Sequence, residues 1–343
     1  MSTLPPTFSE RQFEKRRLVM MAAGCSALFG FASLVLRAFI SIPAIILGFV
    51  SLRQINESDG QIPGRWAAIS GMILGLIGFV IDVIGIVAII LLHASHSADK
   101  ATSQNNLRQI GQANLFHHRI QEHYPIGTLF PPAQLIERIP WQHYPYEKRL
   151  AWSVSLLPYF GLKRNANAGP LKPSFSSPTG KLYADFDLLG SWDAKSNYNA
   201  IRAPIRLYLS PGHPSFDPSS KPRQTHYVGF AGVGPDAPTL PVEDVRIGMF
   251  GYDRLIRQSD VTDGLRYTSL MIETAERNGI WAAGGRATIR EVDENRDDLL
   301  GKGKPFGGCF PNGAHLLMVD GSVRFITNEM PASIFRRHVT IRE

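Results

Sequence analysis

Hydrophobic and polar positions divide the chain into two unlike parts. From Leu18 to Leu52 it is apolar apart from Arg37, and after the polar stretch "RQINESDGQIPGR" a second apolar run, Trp66 to Leu92, is interrupted only by Asp82. A helix needs about 20 apolar residues to cross a bilayer, and the hydrophobic region of a cleaved signal peptide has only about 7 to 15. Both runs therefore predict transmembrane helices. Beyond Leu92, "HASHSADKATSQNNLRQIGQANLFHHRIQEHY" has no proline until Pro125 and predicts a helical continuation into water. Residues 125–145 are rich in proline and aromatics and predict an irregular connector. The segment beginning "KLYADFDLLG" and ending "IRLYLSPG" predicts a short helix, a loop and a strand; "THYVGFAGVG" and "SLMIETA" predict strands, and "VTDG" a turn. In "GAHLLMVDGSVRFIT", Asp320-Gly321 predicts a two-residue type I′ hairpin turn. That register pairs Met318 with Val323 and Leu316 with Phe325 on one face, and Leu317 with Arg324 on the other. The whole predicts an α+β fold, a long helix emerging from the membrane onto an antiparallel sheet.

With 343 residues the chain has room for about two domains. We divide it into a tail, 1–17, a transmembrane module, 18–92, and a large domain, 93–343. Arg11, Lys15, Arg16 and Arg17 place the tail in the cytoplasm by the positive-inside rule. Two plain crossings return the large domain to the cytoplasm; a first run that turns back near Arg37 and Pro43 keeps Arg53 and Arg65 inside and exports the rest. Gly71 and Gly75 form a G-x-x-x-G pair suited to close helix approach. Asp82 sits mid-span and should face a helix partner or be protonated. The net charge of +7 and pI of about 9.5 come from singly scattered arginines rather than a basic patch, so nucleic acid is not an expected partner. The two cysteines, Cys25 and Cys309, make no disulfide framework.

Signatures of catalysis are absent: there is no G-x-S-x-G elbow, P-loop, H-E-x-x-H or paired C-x-x-C. No enzymatic activity and no cofactor are expected. "GFAGVG" has the wrong spacing for a dinucleotide loop. In "DENRDD", Asp293, Asn295 and Asp297 alternate as calcium ligands do, without the glycine and closing glutamate of an EF-hand. His93 and His96 are spaced to share a metal, and His117, His118 and His123 follow, with no acidic or cysteine partner beside them. Trp141, Tyr144, Tyr146, Trp152, Tyr159 and Phe160 suit either a carbohydrate platform or packing. For Asp320 the choice is between a catalytic acid and a corner, and the turn chemistry of Asp-Gly favours the corner.

Five segments in order, "NNLRQIGQANLFHH", "RLAWSVSLLPYF", "LYADFDLLGSWDAKSN", "VTDGLRYTSLMIE" and "GAHLLMVDGSVRFI", resemble a bacterial family known as domain of unknown function 1559, which is similar to type II secretion pseudopilins. The family's closing signature is a His, nine residues, then Asp-Gly; here Phe310 stands in place of that His, while Asp320 and Gly321 match. The usual prepilin-peptidase site is missing: "GFASLVL" has Val35 where a glutamate belongs and lies inside the apolar run, so no processing is expected. Residues 18–90, through "SIPAIILGFVSLRQI" and "GRWAAISGMILGLIGFV", resemble the membrane module called domain of unknown function 4190. These resemblances imply a pilin-like domain on a substituted anchor. The expected function is a structural or interaction protein, multi-pass in the inner membrane, whose large domain is extracytoplasmic and whose partners are the lipid bilayer and other envelope proteins. The other reading is an envelope module that binds a ligand, either a glycan in a pocket lined by Trp141, Trp152 and Trp192 or calcium in the acidic loop.

Overall fold

A computed structural model describes residues 42–43, 45–53, 55–57, 65–129, 145–162, 171–214 and 224–342. They fall into two compact units, Met1–Ser95 and His96–Glu343. Most of the first apolar run, with Cys25, Gly30 and Arg37, lies outside the described residues, as do Trp141 and Tyr144.

In the first unit, residues 42–43, 45–53 and 55–57 are helical, and helix α1 starts at Arg65. A Cβ added at Gly48 would meet Met72 Cγ at 2.4 Å and Ala68 O at 3.0 Å, so the close approach of the two helical segments needs a glycine there. Gly71, expected to serve that purpose, has nothing within 4 Å. Asp82 is 3% exposed, and its Oδ2 has no hydrogen-bond partner among the described residues.

Helix α1 (Arg65–Gln121) is continuous, as the proline-free sequence predicts. It is long and apolar enough to cross a membrane, by length and composition. It ends where Glu122 turns to φ +65, a left-handed cap, with Glu122 N donating to His118 O at 2.8 Å. Within the second unit its buried residues are Ser103, Asn106, Leu107, Ile110, Gly111, Ala113, Asn114 and His117, which recur every three or four positions along one face.

That face packs on a five-stranded sheet built from β1 (Tyr227–Val233), β2 (Ser269–Glu273), β3 (Ile289–Val292), β4 (Gly313–Met318) and β5 (Val323–Thr327), in the order β3-β1-β2-β4-β5. Three pairings are antiparallel; β3 runs parallel to β1, so the sheet is mixed and not the antiparallel one expected. Strand β3 is only four residues, Ile-Arg-Glu-Val, with two charged residues at its centre, which hides it in the sequence. Leu107 and Ile110 of α1 join Tyr227, Met271, Leu317 and Val319 in one core. Val228, Phe230, Ile272, Leu316 and Met318 form a second core on the other face, where Phe335 and Val339 of the C-terminal helix α3 (Ala332–Val339) pack. Helix α2 (Pro178–Ala184) is the predicted short helix, capped by Ser177 Oγ, which accepts from Gly180 N at 3.0 Å. The strand expected at "IRLYLSPG" is instead a tight turn over Arg206–Tyr208, and the Tyr208 hydroxyl donates to Ser153 O at 2.7 Å.

The hairpin differs from its expected form by one residue. Leu317 pairs with Val323, Leu316 with Arg324 and His315 with Phe325. The corner holds three residues: Gly321 N donates to Met318 O at 3.0 Å, Met318 N to Ser322 O at 2.8 Å, and of the corner residues only Gly321 has positive φ, +84. This is a type I turn closed by a glycine bulge rather than a type I′ turn. Strand β4 keeps its expected faces, but the slip exchanges the faces of β5, so Val323 and Phe325 lie with Leu317 and His315. Asp320 is the corner residue the sequence predicts. Its Oδ1 accepts from Ser322 N at 2.9 Å and Ser322 Oγ at 2.6 Å, a side chain mimicking a turn.

Candidate ligand site

Two polar clusters border α1 in the second unit, and their chemistry differs. The first is sealed beneath Ser103 and Asn106. Glu273, at the end of β2, is completely buried and accepts four hydrogen bonds: from Ser103 Oγ, Ser210 Oγ at 3.2 Å, His315 N at 2.6 Å and His315 Nδ1 at 2.9 Å. A carboxylate offers about four acceptor positions, so it is saturated. The Ser103 proton goes to Glu273, so the Tyr227 hydroxyl, 2.7 Å away, donates to Ser103. Burial together with the nearby Glu273 pushes the Tyr227 phenol well above its ordinary pKa, and burial does the same to the Cys309 thiol. Serine, histidine and glutamate are the members of a hydrolytic triad, but here the glutamate stands between the other two. A base must touch the nucleophile it activates. His315 touches Glu273 instead, so the order of a hydrolytic triad is not reproduced, and the cluster ties α1 to β1, β2 and β4.

Burial also holds two arginines. Arg254 donates to five carbonyls, those of Ala231, Ala237, Leu240, Gly248 and Phe250. Arg290 donates to Thr274 Oγ1 and to the carbonyls of Pro305, Glu276 and Arg277. Burial lowers each guanidinium pKa to about 10. These side chains tie irregular loops together, and Arg254 also ties them to β1 through the Ala231 carbonyl.

The second cluster lines a cavity of about 600 Å³ at the end of α1. His117 and Gln121 come from the last turns of α1, Tyr159 from the turn Leu157–Tyr159, Phe175 from the approach to α2, Tyr183 from α2, and Asp253 from the loop before Arg254. Gln121 Nε2 donates to the Tyr159 hydroxyl at 3.0 Å, and Arg149 Nη1 donates to Asp253 Oδ1 at 2.5 Å. Burial, helped by the charge of His123, lowers the His117 pKa to about 4, while its Nδ1 lies 3.1 Å from His123 O. Burial raises the phenols of Tyr159 and Tyr183. Near neutral pH His117 and both tyrosines are thus uncharged; a second wall histidine, His123, has its Nδ1 2.7 Å from Tyr124 O.

The other candidate residues fall elsewhere. Asp293 Oδ1 accepts from Asn295 N at 2.9 Å, and Asp297 is 95% exposed beside Arg336 Nη2 at 3.8 Å. Arg336 also donates to Arg296 O at 2.6 Å, so a guanidinium occupies this acidic loop. Among the described residues, no three His, Cys, Asp or Glu side chains are grouped to hold a metal ion. The His93 ring bonds its own helix at Ile89 O, 2.9 Å, and His118 stacks on Tyr124 at 4.4 Å. Trp152 is core, donating to Thr288 O at 3.1 Å, and Trp192 donates to Glu147 O at 2.6 Å; neither lines the cavity, though Tyr159 of the same aromatic set does. "GFAGVG" forms most of β1, where a Cβ at Gly229 would strike Phe250. The Phe310 ring stands edge-on to His315 at 5.5 Å.

The family model described as "SBP_bac_10: Protein of unknown function (DUF1559)" matches residues 96–304, more than half of the chain. The chain belongs to the DUF1559 family. The matched residues include the cavity lining and Ser103, Tyr227 and Glu273 of the sealed cluster. Four of the five segments that carry the resemblance fall inside the DUF1559 match, and the β4-β5 hairpin follows it. No curated protein and no solved structure matches the chain.

Neither cluster was read as a unit from the sequence. The signals that existed were an acid ending an apolar strand, Glu273, and a histidine inside another, His315.

Proposed function

We propose that this DUF1559 protein is a membrane-anchored interaction module of the bacterial cell envelope, pseudopilin-like in laying a long helix on a sheet, and that it acts by contact rather than catalysis. The observation that carries this reading is the change of character along α1. Ile73, Leu74, Leu76, Ile77, Ile84 and Leu91 are exposed, whereas Leu107 and Ile110 are fully buried in protein. A helix apolar all round is at odds with water and suited to lipid, where its backbone groups are already paired. The saturated and sealed Ser103-Glu273-His315 arrangement supports contact over catalysis. Multi-pass insertion in the inner membrane, with Arg53 and Arg65 on the cytoplasmic side and residues 96–343 exported, belongs to the same reading and rests on the length of the first apolar run.

The test is expression of the full chain in a bacterial host with alkaline phosphatase fused after Glu343. The protein should stay with membranes through carbonate extraction, and the phosphatase should be active. Release by carbonate, or activity of a cytoplasmic reporter alone at that position, overturns the reading.

A further inference from the structure

We propose that the cavity at the end of α1 is a binding site for a neutral saccharide. This goes beyond the anchoring reading and does not depend on it. The volume, about 600 Å³, lies within the roughly 300–1,000 Å³ typical of small-molecule sites. What the site can take follows from what its walls leave unused.

The ionisable groups on the walls already have partners. His123 Nδ1 lies 2.7 Å from Tyr124 O. Asp253, the acid among the described lining residues, is held by Arg149, and His117 is neutral at pH 7 because burial lowers it to about 4. A phosphate or carboxylate would meet the Asp253 carboxylate and no lysine or arginine among the described lining residues, with only the His123 imidazole to offset the desolvation cost of an ion. A purely apolar ligand is disfavoured for the opposite reason, since it would strand the polar groups. Gln121 spends one N–H on the Tyr159 hydroxyl and, among the described residues, keeps its second N–H and its carbonyl oxygen. The Tyr159 hydroxyl accepts that bond and, among the described residues, keeps its own proton. The Tyr183 hydroxyl makes no hydrogen bond among the described residues, and burial raises its pKa, so it remains a neutral donor and acceptor.

Beside these groups stand flat apolar surfaces. Phe175 is 54% exposed, and its ring centroid lies 6.0 Å from that of Tyr183 at an angle of 41°. A sugar ring has this same division, with hydroxyls around its edge and C–H groups on its faces. An aromatic ring offers a face to the C–H groups, while amide and phenol groups serve the hydroxyls.

The test uses the full chain in lipid nanodiscs, free of sugar-headed detergent, titrated calorimetrically with cellobiose, maltose, lactose and N,N′-diacetylchitobiose. Glucose 6-phosphate and glucuronate serve as charged comparators. At least one neutral disaccharide should bind saturably at one per chain, at least ten-fold tighter than either charged sugar. Phe175→Ala and Tyr183→Phe should each weaken that binding about five-fold or more; Phe175 is exposed and the second change removes one oxygen, so folding should survive, as circular dichroism would verify. Absence of saturable binding by all four neutral sugars overturns the proposal. So does equal or tighter binding of a charged sugar, or an affinity indifferent to both substitutions.

Discussion

The two polar clusters beside α1 are made from similar residue types and end in opposite states. Around Glu273 every acceptor position is filled and the cluster is shut from solvent. Around Gln121 and Tyr183, donors and acceptors remain open to a cavity. A buried polar group is stabilising when satisfied and costly when not, so a saturated cluster fixes geometry, while an unsaturated one beside open space is equipped to bind. What separates structure from site here is unused hydrogen-bonding capacity, not residue identity.

The comparison breaks most visibly at its saturated end. Glu273→Ala should destabilise the protein by about 3–5 kcal/mol, because it leaves the His315 N–H, the His315 ring and two serine hydroxyls without their acceptor. Denaturant unfolding of the full chain in nanodiscs measures this. A loss below 1 kcal/mol would show that the cluster is not a structural tie.

Acid should act through histidines buried in their neutral form, one on the cavity wall and one beside the sealed cluster. Burial lowers His117 to about 4, and burial with the nearby His213 lowers His226, whose ring accepts from Ser210 N at 3.0 Å, to about 3. A folded-state pKa below the unfolded value of 6.5 means that the unfolded chain binds more protons under pH 6.5. Stability is therefore fully present above that pH and falls as the solution is acidified towards the folded values. Each histidine should cost about 2 kcal/mol by pH 5, at about 1.4 kcal/mol per pH unit. His226→Gln should flatten the stability profile between pH 6.5 and 4; an unchanged slope would show that His226 is not the proton-sensitive group.

Between the clusters lies Asn114, 1% exposed, with neither side-chain atom hydrogen-bonded among the described residues. Asn114→Leu, similar in size and without the polar atoms, should raise stability by about 1–2 kcal/mol in thermal unfolding. A loss of that size would mean that the asparagine has a partner. The smallest effect belongs to the corner. Asp320→Asn keeps the carbonyl oxygen that accepts from Ser322, so its change should stay within about 0.5 kcal/mol.

Much of the fold was legible because local periodicity dictates it. The proline-free stretch announced α1, the apolar runs announced β1, β2 and β4, and Asp-Gly announced a corner. The register of β5 was not legible, because Asp-Gly serves both a type I′ turn and a type I turn with a glycine bulge; the choice turns on the backbone angle at Asp320, which residue type leaves open. Strand β3 was missed because four residues carry little pattern. The sealed cluster draws on residues 103, 210, 227, 273 and 315, and the cavity on residues 117 to 255; no spacing rule links positions so far apart. Of the weak motifs read as chemistry, the acidic loop is occupied by an arginine, and His93 of the His93–His96 pair bonds a carbonyl of its own helix.

Sheet order carries a consequence for how the molecule assembles. In β3-β1-β2-β4-β5 only β4 and β5 are joined by a tight turn; every other pairing must close a long loop first, and the parallel β3 reaches β1 only across the chain that holds β2. Loop-closure entropy makes such pairings late and slow. The β4-β5 corner, pressed close to Gly111 of α1, is thus the natural seed of the sheet. Gly321→Val, which forces a branched side chain to φ +84, should slow refolding more than it speeds unfolding. Stopped-flow kinetics in which only the unfolding rate changed would place the seed elsewhere.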